Sequence, residues 1–241
     1  MQNNRKITPT GVLILSVDAP REDWLAQRRL GITATDLPAI LGQNKYKTAI
    51  DVWREKVAPA DDNFEPAIGE AEAAFWGIAL EDTVAGKWAE HKGVAVRRVG
   101  ILHHESHEWA RASLDRLVTG CPDGRCGLEV KTRSVYAANE WDKGVPADVE
   151  TQVKWQLLVS GLDHMHVIAL IGGQRLVEHV ITTNDEDWLL LGVADGIWQA
   201  VKAGVAPQLP ATVSSRAIPQ NAASASPMAG SKLSSAGPTT T

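Results

Sequence analysis

Cysteine, phenylalanine, tyrosine and methionine are all scarce in this chain of 241 residues, at two, two, two and three copies. Cys121 and Cys126 are too few for a disulfide framework and, by themselves, too few for a structural zinc site. They read as ordinary thiols flanking a turn. No apolar run approaches the roughly 20 residues that a bilayer-spanning helix needs, so no integral helical membrane protein is expected. Nor is there an excess of positive charge: the formal net charge is -5. That argues against a protein that sheathes nucleic acid by charge alone, but leaves room for an enzyme with a local basic channel and an acidic, metal-filled centre. The nearest approach to a secretory signal is Arg5-Lys6 followed by residues 11–17. It closes at Asp18 with no small-residue cleavage site, so it reads as a strand, and the chain is expected in the cytoplasm.

Against those shortages stand 44% hydrophobic residues and nine tryptophans, enough to bury a real core in one medium domain. The domain is expected over residues 1–203. Residues 204–241 are Ala, Ser, Pro and Thr with two charges, Arg216 and Lys232, and are expected to form a disordered tail. Helical patterns come first, the longest over about 68–91, where Trp76, Leu80, Val84 and Trp88 recur at four-residue steps and read as one buried stripe. Strand patterns follow at 94–103, 109–118 and 127–131, then a helix over 148–162, two strands and a last helix. This order predicts an α/β fold with a central mixed β-sheet flanked by helices. Trp24, Trp141 and Trp155 suit either core packing or stacking on unpaired bases.

The chemistry concentrates on Leu128-Glu129-Val130-Lys131-Thr132. Side chains alternate along a strand, so Glu129 and Lys131 share a face that is costly to bury without a use. With the preceding turn centred near Asp123, Asp115 is expected opposite Lys131 and diagonal to Glu129. Asp123 itself lies about 20 Å from Glu129 along the strand and cannot share an ion with it. A third carboxylate projects from the long helix, where apolar neighbours leave Glu81 and Asp82 equally placed. Two or three carboxylates with a lysine are what phosphodiester hydrolysis needs: hard oxygen ligands for Mg²⁺, and an ammonium for the nucleophile or the developing charge. His103, His104 and His107 form a loop cluster that could hold zinc or simply be polar.

These residues fall into a pattern. Trp24-Leu25-Ala26-Gln27-Arg28-Arg29-Leu30-Gly31-Ile32-Thr33-Ala34-Thr35-Asp36, then Ile40-Leu41-Gly42, Tyr46-Lys47-Thr48, Trp53, Gly77-Ile78-Ala79-Leu80-Glu81, the hairpin and Gln152 occur in order. The pattern resembles the YqaJ-type viral recombinase nucleases, which include the exonuclease of bacteriophage lambda, within the PD-(D/E)XK superfamily. The resemblance spans about residues 23–181 and implies a restriction-endonuclease-like core. It implies Asp115, Glu129, the Val130 carbonyl and Glu81 as ligands for Mg²⁺ (Mn²⁺ substituting), Lys131 as the catalytic lysine, and Gln152 beside them. Arg28 and Thr35 match positions that hold a 5′-terminal phosphate, a role for which a guanidinium, a hydroxyl and a helix N-terminus are suited; a shift of one residue would pass it to Arg29. Asp115 is followed by Arg116, where the family usually has glycine, and Thr35 replaces the usual serine. The implied activity is a Mg²⁺-dependent exonuclease that resects 5′ strands of double-stranded DNA ends for phage-type recombination. A single-strand annealing protein would be its partner and a homo-oligomer, a trimer ring, its assembly, with no membrane involved. The alternatives are an endonuclease or nickase on the same core, or a non-catalytic DNA-end-binding phage protein.

Overall fold

In the computed structural model, which describes residues 5–58 and 68–207, ten strands are found: β1 (Arg5–Lys6), β2 (Gly11–Leu15), β3 (Ile32–Thr33), β4 (Ala95–Arg97), β5 (Ile101–His104), β6 (His107–Ser113), β7 (Arg116–Thr119), β8 (Cys126–Arg133), β9 (His164–Ile171) and β10 (Arg175–Thr182). The helices among the same residues are α1 (Arg21–Arg29), α2 (Leu37–Ile40), α3 (Ala49–Val57), α4 (Ile68–Lys92), α5 (Ala138–Trp141), α6 (Ala147–Ser160) and α7 (Leu189–Ala203). The expected tail lies, from residue 208 onward, outside the described residues.

The α/β mixture is as expected, but the strands form two five-stranded sheets. One has the order β1-β2-β5-β6-β3 and the other β10-β9-β8-β7-β4. Each is mixed, through parallel pairing of β3 with β6 and of β8 with β9. The run expected as one strand over 109–118 is therefore two: β6 pairs with β5 and β3, whereas β7 pairs with β8 and β4. The alternation of side chains carries through the break, so periodicity alone cannot reveal it. Leu114 and Asp115 are where the chain crosses from one sheet to the other.

α6 occupies the space between the two sheets. Val149, Val153, Trp155, Leu157 and Val159 are all buried, and so are Thr151, Lys154, Gln156 and Ser160. A helix buried all round must find partners for its polar groups inside the protein, and that requirement shapes the site described below. Trp141 and Trp155 are fully buried in this core, which removes them as base-stacking candidates. The other face of the second sheet is covered by α4, through Val84, Ala85, Trp88 and Ala89 on Leu128, Val130 and Ile168. Trp76 departs from the predicted stripe and is 52% exposed.

Asp36 ties the N-terminal segment together. It occupies the N-cap position of α2 and makes no side-chain cap there. Its carboxylate instead accepts from Thr33 N–H at 2.9 Å and Thr33 Oγ1 at 2.8 Å. It is paired with Lys56 Nζ at 2.8 Å and Lys47 Nζ at 3.1 Å. Burial by itself would raise the Asp36 pKa, but the charges of Lys56, Lys47 and Arg28 outweigh it and hold the group far below the usual carboxylate range. Lys56 is nearly as buried as Asp36, so Asp36→Ala strands a buried ammonium and should cost about 3–5 kcal/mol. Because the folded state holds the Asp36 pKa below its unfolded value, this stability is complete above pH ~4 and drains away as the pH falls. Urea midpoints at pH 7 and pH 3 should therefore show a wild-type advantage over Asp36→Ala that shrinks at the lower pH.

Candidate active site

The active-site candidates converge because α6 lies over one face of the second sheet, against β8. β8 turns Glu129 and Lys131 toward α6, and α6 answers with Gln152 and Gln156, one turn apart on one face. Glu129 is buried, and both of its oxygens are engaged. Oε1 accepts from Lys131 Nζ and from Gln152 Nε2 at 2.6 Å, and Oε2 accepts from Gln156 Nε2 at 2.7 Å. Lys131 Nζ also donates to Gln152 Oε1 at 3.1 Å. Gln156 is held in turn by donating to the Ser113 carbonyl at 3.0 Å, while its Oε1 finds no protein partner. Gln156, one helical turn beyond Gln152, joins the site although the sequence reading gives a role to Gln152 alone.

Asp115 reaches the same place by an unexpected register. Arg116 pairs with Leu128 and Leu117 with Gly127, which sets Asp115 opposite Glu129 rather than opposite Lys131. A displacement of two residues keeps every side chain on its face, so the clustering survives the error in register. With β7 beginning only at Arg116, the N–H of Val130 has no strand partner on that side. It donates instead to Asp115 Oδ2 at 2.7 Å, a side chain standing in for a missing ladder bond.

Glu81 and Asp82, which the helical pattern could not separate, are separated by position. Glu81 lines the cavity, whereas Asp82 is largely exposed and pairs with Arg116 outside it. Arg116, buried behind the site, also donates to Glu81 Oε1 and to the Asp115 carbonyl. The residue that departs from the family pattern thus fixes the Glu81 carboxylate from behind.

These groups share a cavity of about 500 Å³ with Arg28, Thr35, Trp24 and Arg133. Arg28 stacks its guanidinium 4.4 Å from the Trp24 ring centre and donates to Thr35 Oγ1 at 2.6 Å. Arg29 is turned toward the Ala58 carbonyl, so the geometry favours Arg28 over its neighbour. The helix that follows Thr35 is a single turn and adds little dipole to this corner. Lys47 is committed to Asp36 and Glu55. A larger hollow of about 840 Å³ lies elsewhere, against Tyr136, Lys143 and His179, but the paired carboxylates and the lysine are not among its walls.

Do these residues suit a divalent cation? Burial, and after it the Glu129 charge, push the Asp115 carboxyl well above the usual carboxylate range, with Glu81 adding to the effect and Lys131 opposing it. Acids crowded in this way repel one another until a cation joins them. The donors are carboxylates and a backbone carbonyl, hard oxygens that match Mg²⁺ or Mn²⁺. The residues therefore fit. His103, His104 and His107 do not form such a site: His103 Nδ1 contacts the His104 carbonyl, and His104 Nδ1 accepts from the Ser106 N–H. The group of metal-ligating side chains that does converge among the described residues is Cys121, Cys126, His164 and His166.

Comparison with known proteins agrees with this architecture. Residues 23–163 match the YqaJ-like viral recombinase domain family. A protein named YqaJ, described as uncharacterized, from Bacillus subtilis (strain 168) is 35% identical over 181 residues, 73% of this chain and 54% of the relative. The chain thus spans about half the length of that relative. Among solved structures, an alkaline exonuclease (LHK-Exo) from Laribacter hongkongensis shares the fold, with a TM-score of 0.62 at 16% identity over 76% of this chain and 93% of that one. Its complex with dAMP aligns equally well, at a TM-score of 0.62 and 17% identity.

If the acids share a cation, saturating Mg²⁺ should raise the unfolding midpoint by several degrees, the scale expected for about 2–3 kcal/mol of linked binding. Asp115→Asn should abolish the rise while leaving the metal-free protein at least as stable, because the crowded charge is gone. Thermal melts with and without Mg²⁺ decide it; an equal rise in both proteins would contradict the assignment.

Proposed function

The chain belongs to the YqaJ-like viral recombinase family, and from that premise we propose that its acidic cavity is the centre of a Mg²⁺-dependent deoxyribonuclease that resects 5′ strands from double-stranded DNA ends. The observation that supports this most strongly is the joining of Asp115, Glu129 and Lys131, through β8, α6 and the crossing between sheets, in one cavity with Arg28 and Thr35. The fold shared with an alkaline exonuclease is consistent with it.

Asp115, Glu129, the Val130 carbonyl and Glu81 would hold the ion. When bound, Mg²⁺ would supply Lewis acidity at the scissile phosphate and neutralise the leaving oxygen. Lys131, fixed between Glu129 and Gln152, presents an ammonium to the nucleophilic water or to the charge that grows on the phosphoryl oxygens. Gln152 and Gln156 keep Glu129 oriented, so that its geometry is set before substrate arrives. Arg28 offers a forked donor and Thr35 a hydroxyl to a terminal phosphate, with Trp24 beneath the guanidinium restricting its rotation.

On this reading the enzyme acts in the cytoplasm and hands its 3′ overhangs to a single-strand annealing protein. A ring of subunits, a trimer by resemblance, would encircle the duplex. No helix among the described residues is long and apolar enough to cross a membrane.

The test is a time course on linear duplex DNA with 5′-phosphate ends, beside closed circular DNA, in Mg²⁺ and in EDTA. Loss of the linear DNA alone, and only with Mg²⁺, is expected. Arg28→Ala should lower the rate on 5′-phosphate ends about tenfold, toward the rate on 5′-hydroxyl ends, as the loss of one charge-assisted contact predicts. Cutting of circles would favour the endonuclease reading. Binding of ends without hydrolysis would favour the non-catalytic one.

A further inference from the structure

Behind the catalytic strand, on the face of the second sheet that carries α4, lies a cluster that the nuclease chemistry does not use. Cys121 stands in the turn before β8 and Cys126 begins that strand. His164 begins β9, directly beside Cys126 in the parallel register, and His166 follows two residues on, beside Leu128. Alternation places His164 and His166 on one face. Cys126, His164 and His166 are buried and Cys121 is partly so. One ligand atom from each of the four lies within 4.8 Å of every other.

The three distances among Cys121, His164 and His166 are close to the edges of a tetrahedron. With Zn–N near 2.0–2.1 Å and Zn–S near 2.3 Å, the edges of a four-coordinate site should be about 3.3 Å between nitrogens and about 3.6 Å between sulfur and nitrogen. His164 Nε2 and His166 Nε2 are 3.3 Å apart, and Cys121 Sγ lies 3.5 Å from the first and 3.9 Å from the second. The tautomer is set as a ligand requires. Nδ1 of His166 sits 3.0 Å from Glu178 Oε1, a carboxylate that can only accept, so Nδ1 carries the proton and the Nε2 lone pair faces the cluster. Glu178 is itself fixed by Trp88 Nε1 at 3.1 Å and Lys92 Nζ at 2.9 Å. A carboxylate behind a metal-binding histidine is the usual outer support of a zinc site. Without an ion, the inward-facing atoms have only two weak thiol donors and the His164 ring to share among them.

We infer that Cys121, Cys126, His164 and His166 form a structural zinc site. Four protein ligands close the coordination sphere, so the ion serves the fold rather than the reaction. It staples the tip of the β7–β8 hairpin to the start of β9, and so anchors β8 three residues before Glu129. Its soft donor set also distinguishes it from the oxygen-lined cavity, so each site selects its own metal.

The experiment uses the full chain, expressed with zinc under reducing conditions and freed of loose metal by gel filtration. Elemental analysis should find about one zinc per chain, released when a mercurial blocks the thiols. Replacement by Co²⁺ should give the absorption of a tetrahedral site with a sulfur-to-cobalt charge-transfer band, a readout that carboxylates cannot produce and that needs no variant. Cys121→Ser, at a partly exposed turn position, should lose that band and most of the zinc. His164→Gln should do the same. A metal-free protein that takes up neither zinc nor cobalt would overturn the assignment. So would a Cys121–Cys126 disulfide in the freshly purified chain, or zinc retained in full by Cys121→Ser.

Discussion

A carboxylate buried between two sheets cannot stand alone, and the arrangement of this molecule follows from the partners Glu129 has collected. Removing such a charge from water costs several kcal/mol unless nearly every lone pair is matched. Here one oxygen is matched by Lys131 and Gln152 and the other by Gln156. Two of those three partners come from α6, so the helix must lie across β8 at one rotation and one height. α6 in turn fills the gap between the sheets, and the Ser113 carbonyl that steadies Gln156 belongs to the last residue of the first sheet before the chain crosses over. The geometry of the acidic cavity and the packing of the two sheets are thus one network.

Asp115 owes its position to the same junction. It sits where neither sheet claims the backbone, and its side chain takes the hydrogen bond that a longer β7 would have supplied to Val130. A carboxylate held in this way is rigid, close to Glu129 and Glu81, and resistant to ionisation until positive charge is provided. That combination suits a transient divalent cation better than it suits a permanent ion pair. Arg116, the departure from the family pattern, sits behind the acids and braces Glu81 without entering the cavity wall.

The features of the fold and the site that depend on local periodicity are legible in the sequence. Alternation was enough to put Glu129 and Lys131 on one face, and parity carried Asp115 to that face even though its expected partner was two residues off. The helices were likewise found from their apolar spacing, as at Leu80, Val84 and Trp88 in α4. What could not be read depends on distant pairing. The split of residues 109–118 between two sheets is set by partners elsewhere in the chain. The separation of Glu81 from Asp82 needed the cavity. The Cys/His cluster was hidden for the same reason: its two halves meet only when β9 aligns in parallel with β8, and His164-x-His166 lacks the helical spacing of common zinc motifs.

If the Glu129 network performs phosphodiester hydrolysis, Glu129→Gln should disable it, because the amide keeps the shape and removes the charge. The rate of digestion of linear duplex DNA in saturating Mg²⁺ should fall by at least about a hundredfold, while the circular dichroism spectrum is retained. A Glu129→Gln enzyme working within a few-fold of wild type would contradict the account, since the buried charge would then serve the fold and not the reaction.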